Sequence, residues 1–324
     1  MAVNGLFFIV SCFLLFWAGT FIINSLVRMA KFLGWKEFVV AFFVVAIAST
    51  IPNLSVGISS ALHGIPELSF GDVVGGNVFD LTVTVALVVL VANGVLTKSK
   101  LVQVSSIFTL WIAILPLLLS WDKKIDRGDG IILIGFFFLY VFWLFSKKER
   151  FTQTYSGLRP SVIKEFKNFL KDIGRILFGV IFLLAGAEGI VRSSLFFANE
   201  FNLSLPVIGI LIVGVGNCLP ELYFALASAR KGRTWMILGD IMGSVITPAT
   251  LVLGIVALIH PIEIDDFSPF AIARLFLVIS ALFFFFAVRS GRKISTREAL
   301  FLLGIYLLFV IFELFFKTEL TKIL

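Results

Sequence analysis

Long apolar runs separated by short polar intervals organise this chain from end to end. Ten of them, 4–27, 37–62, 71–94, 101–120, 129–146, 173–198, 205–229, 235–260, 268–289 and 298–316, approach or exceed the roughly 20 helical residues that cross a bilayer. Little sequence lies between them, so the pattern predicts an all-α multi-pass membrane protein with no sizeable soluble domain. The first run has no basic leading region, is too long for a signal sequence and meets no small-residue cleavage site, so it is expected to be retained as a helix. The longest polar interval, 147–172, is basic and contains Pro160. It reads as a linker with a short amphipathic helix near 161–172.

Composition agrees with the pattern. The chain is 59% hydrophobic and only 15% charged, with a mean hydropathy of +1.06, outside the range of soluble domains. Its 38 Phe residues suit lipid-facing packing. The net charge of +7 would suit nucleic acid, but its distribution argues otherwise. Most of the 27 basic residues follow odd-numbered runs: Arg28, Lys31 and Lys36; Lys98 and Lys100; the cluster from Lys147 to Arg175; Arg230, Lys231 and Arg233; Arg289, Arg292, Lys293 and Arg297. The other intervals hold Lys123, Lys124 and Arg127, with acidic Glu263, Asp265 and Asp266. This is the bias of cytoplasmic loops. It places the linker on the cytoplasmic side of a cell membrane and both termini on the outer side, and it makes the basic excess topological. Membrane lipid is therefore an expected partner and nucleic acid is not. Cys12 and Cys218 lie in separate runs, so no disulfide is expected.

A short pattern occurs twice. Ser49-Thr50-Ile51-Pro52-Asn53 in the second run matches Asn217-Cys218-Leu219-Pro220-Glu221 in the seventh. Gly71-Asp72-Val73-Val74-Gly75-Gly76 in the third matches Gly239-Asp240-Ile241-Met242-Gly243-Ser244 in the eighth. One offset of 168 residues superposes all of these. The copies lie five spans apart, an odd step, so they cross the membrane in opposite senses, as in an inverted-topology repeat. The halves are 1–146 and 173–324, joined by 147–172. Proline inside a span removes a backbone hydrogen bond and breaks the helix. Freed carbonyls at membrane depth require protein, water or an ion to satisfy them. The Gly-x-x-x-Gly spacings Gly71…Gly75 and Gly239…Gly243 permit close helix approach.

The carboxylates inside the spans are Asp72, Asp80, Glu188, Glu221 and Asp240. Such groups are costly in a bilayer and are functional candidates by default. Glu221, directly after Pro220, reads as a cation ligand, against the plainer reading of a helix–helix hydrogen bond. Asp80 reads likewise, with Asn77 beside it. Asp72 and Asp240 read equally as ligands or vestibule charges and as acids near a helix N-terminus. Glu188 reads as a hydrogen-bonding partner of Arg192, one turn on. With Asn53, Asn77, Ser49, Thr50 and Asn217, these groups are rich in oxygen and suit hard cations such as calcium or sodium. His63 and His260 lie at the edges of runs and Cys218 is alone, which disfavours zinc or copper. No Walker loop and no His-Glu-x-x-His pattern is present, so neither an ATP-driven pump nor a zinc protease is expected.

These residues resemble the sodium/calcium exchanger superfamily of cation/calcium antiporters. Members carry two inverted five-helix repeats, each with a Gly-Thr-Ser-x-Pro-Glu motif followed by Gly-Asn-x-x-Gly-Ser-Asn-x-x-Asn/Asp. The second-repeat match runs through Gly216, Leu219, Pro220, Glu221, Gly239, Gly243 and Ser244. The first-repeat match runs through Ser49, Thr50, Pro52, Gly71, Gly75, Asn77 and Asp80. The chain departs where the family's first glutamate is Asn53, where hydroxyls are Asn217 and Cys218, where Gly-Asn is Gly-Asp at Asp72 and Asp240, and where a third-helix Asn/Asp is Pro248.

The resemblance implies a secondary transporter and no enzyme, with no cofactor and with inorganic cations as substrates. A monomer is the working expectation. The two family glutamates jointly hold calcium; one central carboxylate balances a divalent ion only in part. The leading expectation is calcium exchanged for sodium or protons by alternating access. A monovalent-cation/proton exchanger and a degenerate, non-transporting member stay open. In this scheme spans 2, 3, 7 and 8 form the site, and spans 1 and 6, carrying Gly19 and Gly186, slide against them.

Overall fold

The computed structural model describes residues 2–32, 50–146, 162–201, 203–230, 234–264 and 268–315. Ser49 and the first part of the second apolar run lie outside the described residues. The helices follow the apolar runs: α1 (Ala2–Phe32), α2 (Ile51–Leu62), α3 (Glu67–Val91), α4 (Lys100–Leu119), α5 (Arg127–Ser146), α6 (Val162–Phe201), α7 (Leu205–Arg230), α8 (Thr234–Thr247, continued to Ile259), α9 (Ser268–Arg289) and α10 (Thr296–Phe315). Among the described residues, eight helices are long and apolar enough to cross a membrane. The described part of α2 has 12 residues, and α10 carries Arg297, Glu298 and Glu313. The expected separate helix near 161–172 is absent: α6 runs unbroken from Val162. No proline interrupts its ladder before Pro206.

The helices divide into two bodies. α1 packs chiefly along α6. At one end of this pair, buried Asp172 on α6 takes Arg28 of α1 (Nη2–Oδ1 2.7 Å) and Arg175 of α6 (Nη1–Oδ1 2.8 Å). Leu15, Ala18 and Ile22 of α1 and Leu183, Ala187 and Ile190 of α6 meet Val56, Leu68, Ile208 and Val213 along one buried seam. A separate, larger core unites α3 to α5 and α7 to α10.

Two small antiparallel clasps link the halves of the chain. Strand β1 (Val95–Leu96) pairs with β4 (Lys293–Ile294), and β2 (Lys124–Ile125) pairs with β3 (Ile262–Glu263). The inward residues Val95, Ile125, Ile262 and Ile294 are fully buried. α4 runs from β1 to β2, and α9 runs from β3 to β4. The clasps therefore sit at opposite ends of helices of 20 and 22 residues, about 30 Å apart at 1.5 Å per residue. By the same logic α3, which leads into β1, and α8, which leads into β3, run in opposite directions. The starts of α5 and α10 share one capping device. Asp126 and Asp129 exchange backbone N–H to carboxylate bonds of 3.0 Å. Ser295 N–H donates to the Glu298 carboxylate at 2.7 Å, and Glu298 N–H donates to the Ser295 hydroxyl at 3.4 Å, a reciprocal capping box.

Candidate ion-binding site

Span 7 breaks where its proline predicts. Its helix stops at Asn217, turns at Cys218 and restarts at Leu219, with Pro220 in the first turn. Pro220 has no N–H for the Gly216 carbonyl one turn back, while Cys218 N–H still reaches Gly214 O at 3.2 Å. α2 begins in the same manner, with Thr50 at its cap and Pro52 in its first turn. Each break is covered by α1: a β-carbon on Gly19 would fall 3.2 Å from Pro52, and one on Gly216 would fall 3.6 Å from Cys12 Sγ.

Glycines bring α3 and α7 to backbone contact beside the break. A β-carbon on Gly71 would fall 2.5 Å from the Pro206 carbonyl oxygen, and one on Gly214 would fall 2.7 Å from the Gly76 nitrogen. One on Gly75 would overlap the Ile210 carbonyl outright. In the second Gly-x-x-x-Gly, a β-carbon on Gly239 would meet nothing within 4 Å.

Three helices widen into π turns, which the sequence reading does not foresee. They cover Asp80–Thr84, Gly209–Val213 and Pro248–Val252. Each is closed by an i→i−5 bond, from Val85 to Asp80, Gly214 to Gly209 and Leu253 to Pro248. The first and third are related by the 168-residue offset. Such bulges concentrate at functional sites.

The polar groups gather along α3. Asp72, Gly76 and Asp80, spaced four apart, form one stripe on its buried face. At one end, Asn217 Nδ2 donates to both Asp72 oxygens, at 3.1 and 3.0 Å. In the middle, Cys218 Sγ lies 3.5 Å from Gly76 O. At the other end, Asp80 accepts from Thr84 Oγ1 at 3.0 Å and from Ser244 Oγ of α8 at 2.9 Å. Asp240 stands one turn from Ser244 on the same helix. Asn53, Asn77, Asn217, Glu221 and Asp240 are all buried, as is Thr50. Among the described residues, both Asp240 oxygens, Asn53 Oδ1, Asn77 Nδ2 and Asn217 Oδ1 have no hydrogen-bond partner. A buried polar atom left so carries its full desolvation cost, about 1–3 kcal/mol.

The arrangement revises one expectation. Asp72 and Asp240 are the sixth and seventh residues of their helices, past the first turn where an acid caps the N-terminus. Both are interior groups. The carboxylates do not form a cage by themselves: among the described residues, no three His, Cys, Asp or Glu side chains group as a metal site. Any cation held here takes amide, hydroxyl or backbone oxygens too, as hard cations accept. The breaks, the Gly contact and Asp80 are legible in the sequence. Ser244 as partner of Asp80 is not, because it comes from the other half of the chain. Thr84 carries a signal that went unused, the i,i+4 spacing from Asp80.

Glu188 accepts from Arg192 Nε at 2.7 Å, as its spacing predicts, and also from Ser59 Oγ of α2 at 2.9 Å. His63 Nε2 lies 3.2 Å from the same carboxylate. A cavity of about 360 Å³ lies at the end of the molecule that bears β2 and β3, lined by Glu67, Ser204, His260 and Glu263 among others.

The family model for sodium/calcium exchanger protein matches residues 3–146 and 171–315. The chain belongs to this family. The exchanger is 25% identical to the sodium/calcium exchanger MaX1 of Methanosarcina acetivorans over 96% of its own length and 98% of that protein's. It is also 25% identical to the inner membrane protein YrbG of Escherichia coli, over 82% of each. Among solved structures, the sodium-calcium exchanger NCX_Mj soaked with sodium and strontium superposes with a TM-score of 0.67 at 21% identity, covering 96% of this chain and 98% of that one. That likeness establishes the fold. Exchangers of this family are secondary transporters and integral membrane proteins, and this chain is one of them rather than an enzyme.

Proposed function

We propose that this exchanger is a secondary active antiporter that moves calcium against sodium or protons by alternating access. The observation that carries the reading is the buried oxygen-rich seam at the helix breaks. There Asp80, at a π turn of α3, is bonded to Ser244 from the other half of the chain. The proposed ligands are Glu221, Asp80, Asn53, Asn77, Thr50, Asn217, Asp72 and Asp240, with Ser49 beyond the described residues. Two inverted five-helix repeats, 1–146 and 173–324, are joined by the cytoplasmic linker 147–172. The opposed directions of α3 and α8 and the matched clasps support that arrangement.

The end bearing β1 and β4 carries Lys98, Lys100, Arg292, Lys293 and Arg297, which favours the cytoplasm and leaves both termini outside. The α1–α6 pair, packed on its own seam and lying over both breaks, is the element that slides. A monomer suffices for this cycle. Exchange of a monovalent cation for protons is the second reading, favoured by Asn53 where the family resemblance has a glutamate.

Radiolabelled calcium uptake into proteoliposomes tests the proposal. Uptake driven by an outward sodium gradient or an outward proton gradient, and lost in Glu221→Gln, is the expected result. The same chain exchanging sodium for protons while ignoring calcium moves the second reading into first place. Absence of any cation exchange contradicts both.

A further inference from the structure

The contact between Asp72 and Asn217 fixes more than a distance. Both side chains are buried, and one amide nitrogen serves both carboxylate oxygens. Both Asp72 oxygens accept from the amide nitrogen, so the NH2 group is the side of Asn217 that faces Asp72. The amide carbonyl then points away from Asp72. That oxygen, Asn217 Oδ1, is buried and has no hydrogen-bond partner among the described residues. It stands at the break of α7, immediately before Cys218 and four residues before Glu221. On the opposite half of the chain, Asn53 Oδ1 is likewise buried and unpartnered among the described residues, beside Pro52 in the first turn of α2. Bare carbonyl oxygens at two helix breaks are what a hard cation seeks; an NH2 in either place would repel it.

We propose that Asp72 is a positioning residue: it locks the Asn217 amide so that its carbonyl oxygen, and not its NH2, is presented to the transported cation. The proposal rests on the cation site described above and replaces the direct-ligand part given to Asp72 there with a positioning one, since both its oxygens are taken by Asn217. The charge of Asp72 is directed at orientation, and the neutral Asn217 oxygen becomes the ligand. An asparagine at position 72 would not do this. It offers both a donor and an acceptor, so it pairs with either face of Asn217 and leaves the flip undecided.

The experiment uses the full-length protein in detergent and follows its thermal unfolding against calcium and, separately, sodium. The half-saturating concentration for stabilisation is compared with the unfolding midpoint in the absence of either ion. Asp72→Asn is expected to raise the half-saturating concentration about tenfold, as loss of a charge-assisted hydrogen bond would. Asn217→Asp sets two carboxylates face to face and is expected to weaken binding further. The exchanged pair, Asp72→Asn with Asn217→Asp, restores a donor facing a carboxylate and again turns an oxygen toward the site. It is expected to return to within about threefold of the original.

A purely structural contact would lower the ion-free midpoint in Asp72→Asn and leave the half-saturating concentration unchanged, which overturns the proposal. So does an exchanged pair that binds no better than Asp72→Asn. If Asp72→Asn does not fold, the exchanged pair is compared with the original directly: retained affinity supports the proposal and lost affinity overturns it. An original protein that neither ion stabilises removes the cation site itself, a failure separable from that of Asp72 alone.

Discussion

Gly75 shows how little room the site leaves at the scale of single residues. Its missing side chain is what allows α3 to rest on the Ile210 carbonyl of α7. Gly75→Ala must push the two backbones apart, and overpacking of this kind costs about 1–3 kcal/mol or more. The expected result is a clear fall in unfolding temperature together with lost cation binding. Unchanged stability and binding would mean that the helices do not meet there. Ser244→Ala is a gentler probe. It removes one of the two hydroxyls that hold Asp80 and leaves the fold intact, so half-saturating cation concentration should rise severalfold with little change in unfolding temperature. At this scale the sequence discloses identity better than role. Asp72 and Asp240 stand out as acids in apolar runs, yet the same letters fit a helix cap. Only the helix starts at Glu67 and Thr234, a turn and more earlier, decide between the two.

Elements were more legible than their interruptions. Apolar run lengths anticipate the helices because a spanning helix must be long and apolar whatever its neighbours do. The π turns escape because nothing local demands them. They answer to packing between halves, as Asp80 does in meeting Ser244. α6 outlasts its apolar run for a related reason: Asp172 is neutralised by two arginines, one of them from α1. Asp172→Ala should strip Arg28 and Arg175 of their common partner and lower stability by about 2 kcal/mol, measured as a fall in unfolding temperature. No change would mean that α1 and α6 are not held as a pair by this contact.

The caps of α5 and α10 allow a test by pH. The Asp126 carboxyl is held below the ordinary carboxylate range, chiefly by the backbone N–H of Asp129. Its contribution is therefore present above that range and disappears as pH falls through the lowered value. Asp126→Asn should lower the unfolding temperature at neutral pH and by progressively less in acid.

Across the whole molecule, the clasps join the two halves of the chain, each strand pairing with the strand of the other half that is not its 168-residue counterpart. β1 meets β4 and β2 meets β3, so each clasp takes one strand from each half. Their positions assign sides. With native cysteines replaced, single cysteines at Lys98 or Arg292 should react with a membrane-impermeant thiol reagent only from the cytoplasm, and cysteines at Lys124 or Glu263 only from outside. Labelling of Lys98 and Lys124 from the same face would contradict the topology. The charge bias predicts an orientation from sequence alone, but not that two pairs of residues would bind the halves together, since strands of two residues leave no periodic trace.

The account turns on one claim, that a cation bound at the seam by Asp80 and Glu221 is what lets the α1–α6 pair move. Counterflow tests it most directly. Proteoliposomes are loaded with unlabelled cation, and entry of the labelled ion is followed with and without that internal load, for the original protein and Glu221→Gln. The predicted result is saturable entry that internal cation accelerates, absent in Glu221→Gln. Entry that is indifferent to internal cation, or that survives Glu221→Gln unchanged, would contradict it.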